Sequence, residues 1–463
     1  MLFSSIPFLF YFLPCVFVLY FLVPMRWKNT VLLLASLFFY AWGEPKFVVF
    51  MLASIVQGYV LARLVEKYRA DRGRAKLFLT LSLVFSLGLL GYCKYADFFL
   101  SGFNALTGLH IPLLRVALPI GISFYTFQIL SYVVDVYRGD VKAQRNFIDL
   151  AAYIAMFPQL IAGPIVRYSD IASQLEHRTH SLADVAAGAR RFVLGLGKKV
   201  LLANVFYELI TTFKASGDRS VLFYWLYAAA CVLNIYFDFS GYSDMAIGLG
   251  RMFGFHFLEN FNYPYISLSV TEFWRRWHIS LSTWFRDYVY IPLGGNRVSR
   301  GKWVRNILIV WGLTGLWHGA DWNFLLWGLY YGVLLLVEKL WLGKYLERLP
   351  KALRWLLCMM IVCIGWVMFN LTDFVQMRCA LARMFSFTYV QLAQSIGADV
   401  SIVPPLLWML PALVFSTPVC RRVHLGESCG AEIVRNVVCL ALLAVCIVFS
   451  VSATFNPFIY FRF

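Results

Sequence analysis

Charged side chains are scarce in this sequence, and their scarcity excludes the soluble classes. Asp, Glu, Lys and Arg make up 14% of the 463 residues, and hydrophobic residues make up 61%. A soluble domain carries about a quarter charged residues, whereas a transmembrane helix needs about 20 apolar residues. Allowing for loops, we predict an all-α polytopic membrane protein with roughly ten to twelve transmembrane or re-entrant helices around a central funnel or tunnel.

Residue patterns typical of metal, redox or nucleotide sites are also absent. The ten cysteines are scattered, mostly within apolar runs, and no C-x-x-C pair occurs. We expect them to behave as small apolar residues. The sequence contains no zinc motif, P-loop, dinucleotide fingerprint or ordered Ser/His/Asp set. We therefore predict no metal site and no bound cofactor.

The first residues lack the features of a cleaved signal peptide. No basic segment precedes the apolar stretch 1–24, and no small-residue cleavage site follows it. We predict that this stretch is the first membrane span.

Positive charge is plentiful, with 41 Lys and Arg residues against 24 Asp and Glu. In a membrane protein this excess gathers in cytoplasmic loops and sets the orientation, so it does not indicate a nucleic-acid partner. Basic clusters at residues 26–28, 63–76 and 421–435 predict cytoplasmic loops. That arrangement places both termini on the opposite side of the membrane.

Two segments are too short or too polar to be ordinary spans. Residues 151–163 include the motif FPQLIAGP and predict a re-entrant segment, because broken backbone at membrane depth must be buried in protein or line a cavity. Residues 169–199 combine an apolar face with basic residues. They predict an interfacial helix on the cytoplasmic surface, with a simple solvated face as the alternative.

Two aspartates stand in apolar surroundings within FDFSGYSDMAIG. Asp238 and Asp244 are six residues apart, and Gly241 between them predicts a bend in the helix. As supporting residues, the two carboxylates would accept backbone N–H bonds at a broken helix. Direct participation in catalysis is the alternative.

The most informative stretch is 271–328, which contains two histidines forty residues apart. The first, His278, lies in a segment, 272–305, with seven Lys or Arg residues against two acids. Arginine forks match phosphate oxygens, and interleaved tryptophans offer flat faces to an adenine or a pantetheine-like arm. The predicted donor-binding residues are Arg275, Arg276, Trp277 and Arg286. An interfacial belt of arginine and aromatic residues is the alternative.

The second histidine, His318, lies in the apolar run GLTGLWHGADW. A histidine at membrane depth is costly to charge, and such a residue usually faces a polar cavity. A neutral imidazole there can take a proton from an attacking hydroxyl. Trp317, Asp321 and Asn323 are candidates to orient the ring or bind a carbonyl oxygen, although a structural role for the histidine is the alternative.

These motifs together resemble a known family. The combination of FDFSGYSDMAIG, ENFNYPY, TEFWRRWHISLSTWFRDYVYIPLGG and GLWHGA is similar to the membrane-bound O-acyltransferases. Within them it resembles the bacterial branch that contains the alginate O-acetylation membrane protein. The likeness extends through LPIGISFYTFQ, DVYRGD and FPQLIAGP to the ending NPFIYFRF, so it covers almost the whole chain.

The resemblance implies an activity and a location. Members of the family carry acyl groups from a cytoplasmic thioester donor through the membrane to a hydroxyl. We therefore expect an acetyltransferase subunit of a bacterial inner membrane, with acetyl-CoA as donor and both termini periplasmic. The family's motif histidines correspond to His278 and His318, and His318 is the usual catalytic candidate. The expected acceptor is an exported polysaccharide, alginate first, with peptidoglycan or cellulose as the alternatives.

The resemblance also implies partners and a role for the C-terminus. We expect a periplasmic esterase-fold acetyltransferase, a polysaccharide export or synthesis complex, and membrane lipid as partners. In the aromatic tail 456–463, Tyr460 is a candidate acyl relay or part of a partner dock. Interfacial anchoring of the last helix is the alternative for this tail.

We predict one membrane-embedded acyltransferase domain over residues 1–463. It comprises N-terminal helices at 1–110, a catalytic core at 111–345 and C-terminal helices at 346–463. A transporter or a scaffold of an export assembly, without chemistry, is the alternative from another class. Transporters often contain inverted repeats, and the sequence shows none.

Overall fold

The fold is helical throughout the part of the chain that the structure describes. The computed structural model describes residues 1–161, 163–215, 221–386, 403–419, 426 and 428–452. In chain order, the helices of the first part are α1 (Leu13–Leu22), α2 (Met25–Gly43), α3 (Val48–Lys67), α4 (Arg72–Leu90), α5 (Ala96–Thr107), α6 (Ile122–Arg138), α7 (Phe147–Ala155), α8 (Phe157–Leu160), α9 (Tyr168–Glu176) and α10 (Leu182–Gly197). They continue with α11 (Asn204–Ala215), α12 (Val221–Met252), α13 (Val270–Arg276), α14 (Ile279–Phe285), α15 (Arg300–His318), α16 (Trp322–Val337), α17 (Gly343–Leu346), α18 (Lys351–Asn370), α19 (Phe374–Met384), α20 (Val403–Phe415) and α21 (Cys429–Ser452).

Several helices are prolonged by single turns of different pitch. π-helical turns are found at Phe8–Phe12, Gly91–Tyr95, Lys198–Ala203, Arg286–Tyr290 and Glu338–Leu342. Short 3₁₀ turns are found at Pro45–Phe47 and Pro264–Ile266. The π turns join neighbouring helices into longer continuous rods, as at α4–α5 and α16–α17.

Six helical stretches in the described ranges are long and apolar enough to cross a membrane. They are Pro45–Lys67, Arg72–Thr107, Val221–Met252, Trp322–Leu346, Lys351–Asn370 and Cys429–Val451. Shorter apolar helices are found at Phe8–Leu22 and Leu406–Phe415. The predicted all-α polytopic fold is therefore confirmed, whereas the central funnel or tunnel stays a prediction.

The chain divides into two compact units. The first contains residues 1–192 and 242–258, and the second contains residues 193–241 and 259–463. Their boundaries differ from those of the three segments predicted for a single domain, and helices α10 and α12 each contribute to both units. Each unit is described separately below.

In the first unit, the segment predicted to be re-entrant is a broken helix enclosed by protein. Helix α7 ends at Ala155 and α8 begins at Phe157, and residues 150–155 are almost entirely buried. The hydroxyl of Ser36 accepts a hydrogen bond of 3.0 Å from the Phe157 amide, which satisfies one free donor at the break. The enclosure is what broken backbone at membrane depth requires.

The segment predicted to be an interfacial helix forms α9 and α10. Ser181 caps α10 by accepting a hydrogen bond of 3.0 Å from the Asp184 amide. Phe192, Val193 and Leu196 are buried on one face of α10, whereas Leu194 between them is 57% exposed. This is the pattern of an amphipathic helix, and its location on the cytoplasmic surface stays a prediction.

Candidate active site

Helix α15 ends at His318, and the ring of this histidine is enclosed by aromatic side chains. Only 5% of the residue is exposed. The centroid of its ring lies 5.0 Å from that of Trp317, 5.0 Å from that of Trp327 and 5.3 Å from that of Phe369. This packing fixes the position of the imidazole inside the second unit.

Two glycines allow α15 and α16 to pack closely beside His318. A side chain at Gly315 would collide with the carbonyl of Phe324, and one at Gly328 would collide with the carbonyl of Trp311. Glycine removes the atoms that would keep the two backbones apart. Gly315, within the GLTGLWHGADW run, is therefore a point of close approach between the two helices.

His278 occupies an unusual backbone position at the start of α14. Its φ of 45° and ψ of 55° are left-handed, a conformation that costs about 1–3 kcal/mol for residues other than glycine and that clusters at functional sites. The residue is 1% exposed, although its neighbour Arg275 is exposed. The ring meets that of Phe239 edge to face at 4.7 Å.

Hydrogen bonds from one side fix the tautomer of His278. The amide oxygen of Asn260 accepts from the backbone N–H of Ser280 at 3.3 Å and from its hydroxyl at 2.9 Å. That oxygen also lies 3.0 Å from His278 Nδ1, which must therefore carry the proton and donate. The lone pair of Nε2 is left on a buried atom that has no hydrogen-bond partner in the described ranges. Burial lowers the pKa of His278 to about 3, so the ring is neutral near pH 7.

The structure brings the two predicted histidines together around one indole. The centroid of the Trp317 ring lies 5.8 Å from that of His278 and 5.0 Å from that of His318. His278 immediately precedes α14, whereas His318 is the last residue of α15 and follows Trp317 directly. The motif histidines thus belong to a single aromatic site.

The three arginines predicted to bind the donor differ in their engagement. Arg276 pairs with Glu272 at 2.9 Å and also donates to a backbone carbonyl, whereas Arg286 pairs with Asp287 at 2.6 Å. The hydrogen bond that Arg286 donates to Asp287 raises the pKa of Arg286. Arg275 is exposed and makes no hydrogen bond or ion pair with any described residue. It is therefore the arginine of the three that is most available to an anionic ligand.

Trp277 lies in the core rather than on an open surface. The residue is 2% exposed, and its ring stacks on Phe273 at 5.7 Å. Phe261 meets it edge to face at 5.0 Å, and Trp366 lies 4.7 Å away. The expectation that Trp277 offers a flat face to a donor is therefore corrected, because packed rings already cover it.

The supporting aspartates are each paired with a base, and their helix is not broken. In the second unit Asp238 pairs with buried Lys199 at 2.5 Å. In the first unit Asp244 pairs with Arg191 at 2.8 Å. Helix α12 runs continuously through Gly241, where a side chain would lie 2.8 Å from the carbonyl of Gly195. The glycine thus allows close helix packing, which replaces the bend predicted from the sequence.

Asn323 acts on the site through the end of α18. It is fully buried in α16, and its amide nitrogen lies 3.3 Å from the carbonyl of Met368 and 3.4 Å from that of Phe369. Phe369 in turn packs against His318. Asn323 can therefore orient His318 through Phe369, as predicted for an orienting residue. Asp321, the other polar candidate, caps α16 by accepting a 2.6 Å hydrogen bond from the Trp322 amide.

Two residues that position the site were not singled out from the sequence. Asn260 holds His278, and its signal was its place in ENFNYPY, one of the motifs that carry the family resemblance. Glu338 accepts backbone hydrogen bonds of 2.8 and 3.1 Å from Val270 and Thr271, and so caps α13 ahead of the arginines. No local pattern marked Glu338, because its partners are distant in sequence. Tyr460 and the tail around it lie outside the described residues.

This arrangement is suited to proton transfer in a dry environment. A neutral imidazole with a free lone pair can accept a proton from a hydroxyl, and the surrounding rings exclude water from the reaction. The Asn260 contact keeps His278 in the one tautomer that leaves Nε2 available.

Comparison with known proteins places this site within a family. A profile of the membrane-bound O-acyltransferase family matches residues 140–378, which include both histidines. "Probable alginate O-acetylase AlgI" of Azotobacter vinelandii is 46% identical over 84% of this chain and 78% of the relative. The protein of the same name from Pseudomonas putida is 40% identical over the full length of both chains. "Peptidoglycan O-acetyltransferase" of Helicobacter pylori is 32% identical over all of this chain and 98% of the relative.

The extent of these matches settles the class. They cover the helices of both units and the whole stretch that carries His278 and His318. The chain belongs to the membrane-bound O-acyltransferase family and is a multi-pass membrane enzyme that transfers acyl groups.

Proposed function

We propose that this chain moves an acetyl group from acetyl-CoA in the cytoplasm across a bacterial inner membrane for the O-acetylation of an exported polysaccharide. The observation that carries the proposal is the pair of histidines around Trp317 within the family match. Relatives named as alginate O-acetylases at 40–46% identity support acetyl as the group and alginate as the polymer.

The chemistry follows from a neutral imidazole beside a thioester. His318 takes the proton of an acceptor hydroxyl while the hydroxyl oxygen attacks the acetyl carbonyl. The new C–O bond forms and the C–S bond breaks, and the departing thiolate takes the proton from His318. His278, with a free lone pair on Nε2, is a second proton acceptor at the same site. Acid–base catalysis of this kind contributes roughly 10²- to 10⁴-fold in rate.

The donor and acceptor sides follow from charge and orientation. Exposed Arg275 is the first contact proposed for the phosphates of acetyl-CoA, because arginine binds phosphate oxygens through paired donors. The positively charged loops support a cytoplasmic location for themselves and a periplasmic location for both termini. There a periplasmic esterase-fold acetyltransferase, acting with the polysaccharide export complex, completes the transfer.

A second acceptor, peptidoglycan, is favoured by one observation. The Helicobacter pylori relative is named a peptidoglycan O-acetyltransferase and aligns with the whole of this chain. The two polymers share the chemistry of a sugar hydroxyl, so the site residues keep their roles. Mass spectrometry of the polymers from cells with and without the protein distinguishes them by which one loses its O-acetyl groups.

Tyr460 is proposed as the residue that receives the acetyl group before it reaches the partner. Tyr460→Phe tests this role, because it keeps the ring and removes only the hydroxyl. The relay requires that polymer acetylation is lost while acetyl-CoA binding is unchanged. Full acetylation in the variant assigns the aromatic tail to anchoring instead.

The reaction itself is tested by release of free thiol from acetyl-CoA by the purified protein. His318→Ala is expected to lower the rate on the order of 10² to 10⁴ while the protein still accumulates in the membrane. His256→Ala is the matched control, because His256 is an exposed histidine. Thiol release that persists at the wild-type rate in His318→Ala removes the assignment.

A further inference from the structure

The first unit contains a second group of basic residues, gathered around the side chain of Tyr20. Lys28 donates a hydrogen bond of 2.7 Å to the Tyr20 carbonyl, and its Nζ lies 4.3 Å from the centroid of the phenol ring. Arg178 Nε donates to the Tyr20 hydroxyl at 2.8 Å, and His180 Nε2 lies 2.8 Å from the same oxygen. We call Tyr20, Lys28, Arg178 and His180 the Tyr20 cluster.

The hydrogen bonds of the Tyr20 hydroxyl show that His180, like Arg178, donates an N–H to it. The Tyr20 hydroxyl donates its single proton to the carbonyl of Phe253 at 2.7 Å, since a carbonyl can only accept. Its oxygen therefore accepts from both Arg178 and His180. The Tyr20 cluster is thus a set of donors arranged around one already saturated acceptor.

No carboxylate in the described part of the chain balances these charges. Lys28 is 8% exposed and Arg178 is 9% exposed, and neither forms an ion pair with a described acid. Asp149 accepts a hydrogen bond of 2.7 Å from Asn29 and pairs with neither cation. Arg178 Nη1 donates to the backbone carbonyls of Gln174 and Leu175, whereas Nη2 is buried and has no hydrogen-bond partner among the described residues. Buried cations are normally paired, because removing them from water without a counter-charge is unfavourable.

Aromatic rings compensate the two cations only in part. Lys28 also lies 4.8 Å from the Phe21 ring centroid, and the Arg178 guanidinium lies 4.5 Å from that of Phe255. Such contacts are weaker than an ion pair in the same surroundings. Burial, followed by the positive charges of Lys28 and Arg178, lowers the pKa of His180. The local field is therefore positive even with the aromatic contacts in place.

The neighbours of Lys28 indicate where a counter-charge comes from. Lys28 stands in the first turns of α2, after exposed Arg26 and after Trp27, which is 50% exposed. Exposed tryptophan and arginine next to an apolar helix are typical of the membrane–water interface. Phosphate groups are the anions concentrated at that level, and basic pockets of membrane proteins bind them.

We infer that the Tyr20 cluster is a binding site for a phosphate ester at the membrane surface, with Lys28 and Arg178 as its charged donors. The phosphodiester of an anionic phospholipid headgroup fits the position, and a soluble phosphate ester has the same chemistry. The site is distinct from the histidine pair, and the inference does not depend on the acyl transfer reaction.

The test measures the thermal stability of the full chain in lipid nanodiscs. Discs of phosphatidylcholine alone are compared with discs that also contain phosphatidylglycerol, and with phosphatidylcholine discs in inorganic phosphate or in chloride of equal ionic strength. A ligand that binds only the folded state raises Tm. A rise of several degrees with phosphatidylglycerol identifies the lipid, and a rise with phosphate but not chloride identifies a soluble ester. An unchanged Tm in both arms overturns the inference.

Lys28→Glu adds a carboxylate beside Arg178 and so replaces the external anion. We expect this variant to exceed the wild type in Tm in phosphatidylcholine discs and to lose the rise produced by the ligand. Arg26→Glu is the matched control, since it makes the same charge change at an exposed neighbour and keeps the rise. Lys28→Gln, which removes only the charge, serves if Lys28→Glu does not fold. A full ligand-dependent rise in both Lys28 variants contradicts the assignment.

Discussion

The histidine pair and the Tyr20 cluster are both built from basic side chains among aromatic rings, but their charges differ. His278 is neutral, held by the Asn260 amide and surrounded by apolar rings. His180 shares Tyr20 with two cations that have no acid partner among the residues the structure describes. The two histidines therefore differ in the groups around their rings, an amide and apolar rings at His278 and two cations at His180.

A third site in the second unit shows how the chain balances a buried cation by itself. Lys199 is 5% exposed and pairs with Asp238, which is 2% exposed. Lys28 is buried to a similar degree without a carboxylate partner among the described residues. Burial of a cation without a counter-charge is unfavourable, which is the basis for proposing an external anion at Lys28.

The largest effect is expected from placing a charge next to the neutral histidine. Asn260→Asp puts a carboxylate against His278 Nδ1, which favours the imidazolium and raises the pKa of His278 from about 3. Neutral His278 is then lost as the pH falls through the raised pKa. The acid limb of the pH–rate profile should move to higher pH. Below the raised pKa of His278, the rate should fall on the order of 10²-fold.

Asn262→Asp is the control for this variant, because Asn262 is exposed in the same motif. Asn260→Leu removes the acceptor without adding charge, so it should lower the rate at every pH. If Asn260→Asp and the wild type share one pH–rate profile, then Asn260 does not act through His278.

The next largest effect is on stability. It is expected when the partner of Lys199 is removed, which leaves Lys199 an unpaired cation like Lys28. Asp238→Asn is expected to lower the unfolding free energy by about 3–5 kcal/mol, since it leaves a buried charge unbalanced. Thermal unfolding in detergent measures the loss. Adding Lys199→Met should restore part of it. Asp184→Asn, at the exposed pair with Arg251, should change Tm far less. Equal losses of stability in Asp238→Asn and Asp184→Asn would show that burial of the Lys199–Asp238 pair does not increase its contribution to stability.

The smallest expected effect separates Arg275 from Arg276 on the donor side. Arg275 makes no hydrogen bond or ion pair with any described residue, so Arg275→Ala should change Tm little. It should raise KM for acetyl-CoA roughly tenfold, because one charge-assisted contact with the donor is lost. Arg276 is bound to Glu272, so Arg276→Ala should lower Tm as well. Titration of acetyl-CoA in the thiol-release assay gives both KM values. An unchanged KM in Arg275→Ala returns the arginines to the interfacial belt.

Much of the fold follows from local sequence, because composition and apolar runs report directly on membrane insertion. The apolar runs that form α3, α4, α12, α16, α18 and α21 are long enough to be recognised as membrane spans from the sequence. The break between α7 and α8 was also readable, since Pro158 and the short run exclude a regular span. His318 stood out because few polar residues are found in an apolar run, and His278 stood out because it lies among arginines and tryptophans.

Tertiary partners were not readable in the same way. Gly241 is compatible with a bend or with close packing, and only the nearby carbonyl of Gly195 decides between them. Trp277 looked like a ligand surface because its covering ring Trp366 is far away in sequence. The pairing of Lys199 with Asp238 joins two helices with no shared local pattern.

The central claim is that His278 and His318 form one site around Trp317, and a double-mutant cycle tests it most directly. Thiol release from acetyl-CoA is measured for His278→Ala, His318→Ala and the double variant. Groups that act as a unit are not additive, so the double variant should be about as slow as the slower single variant. Losses that multiply in the double variant would show two independent sites and contradict the account.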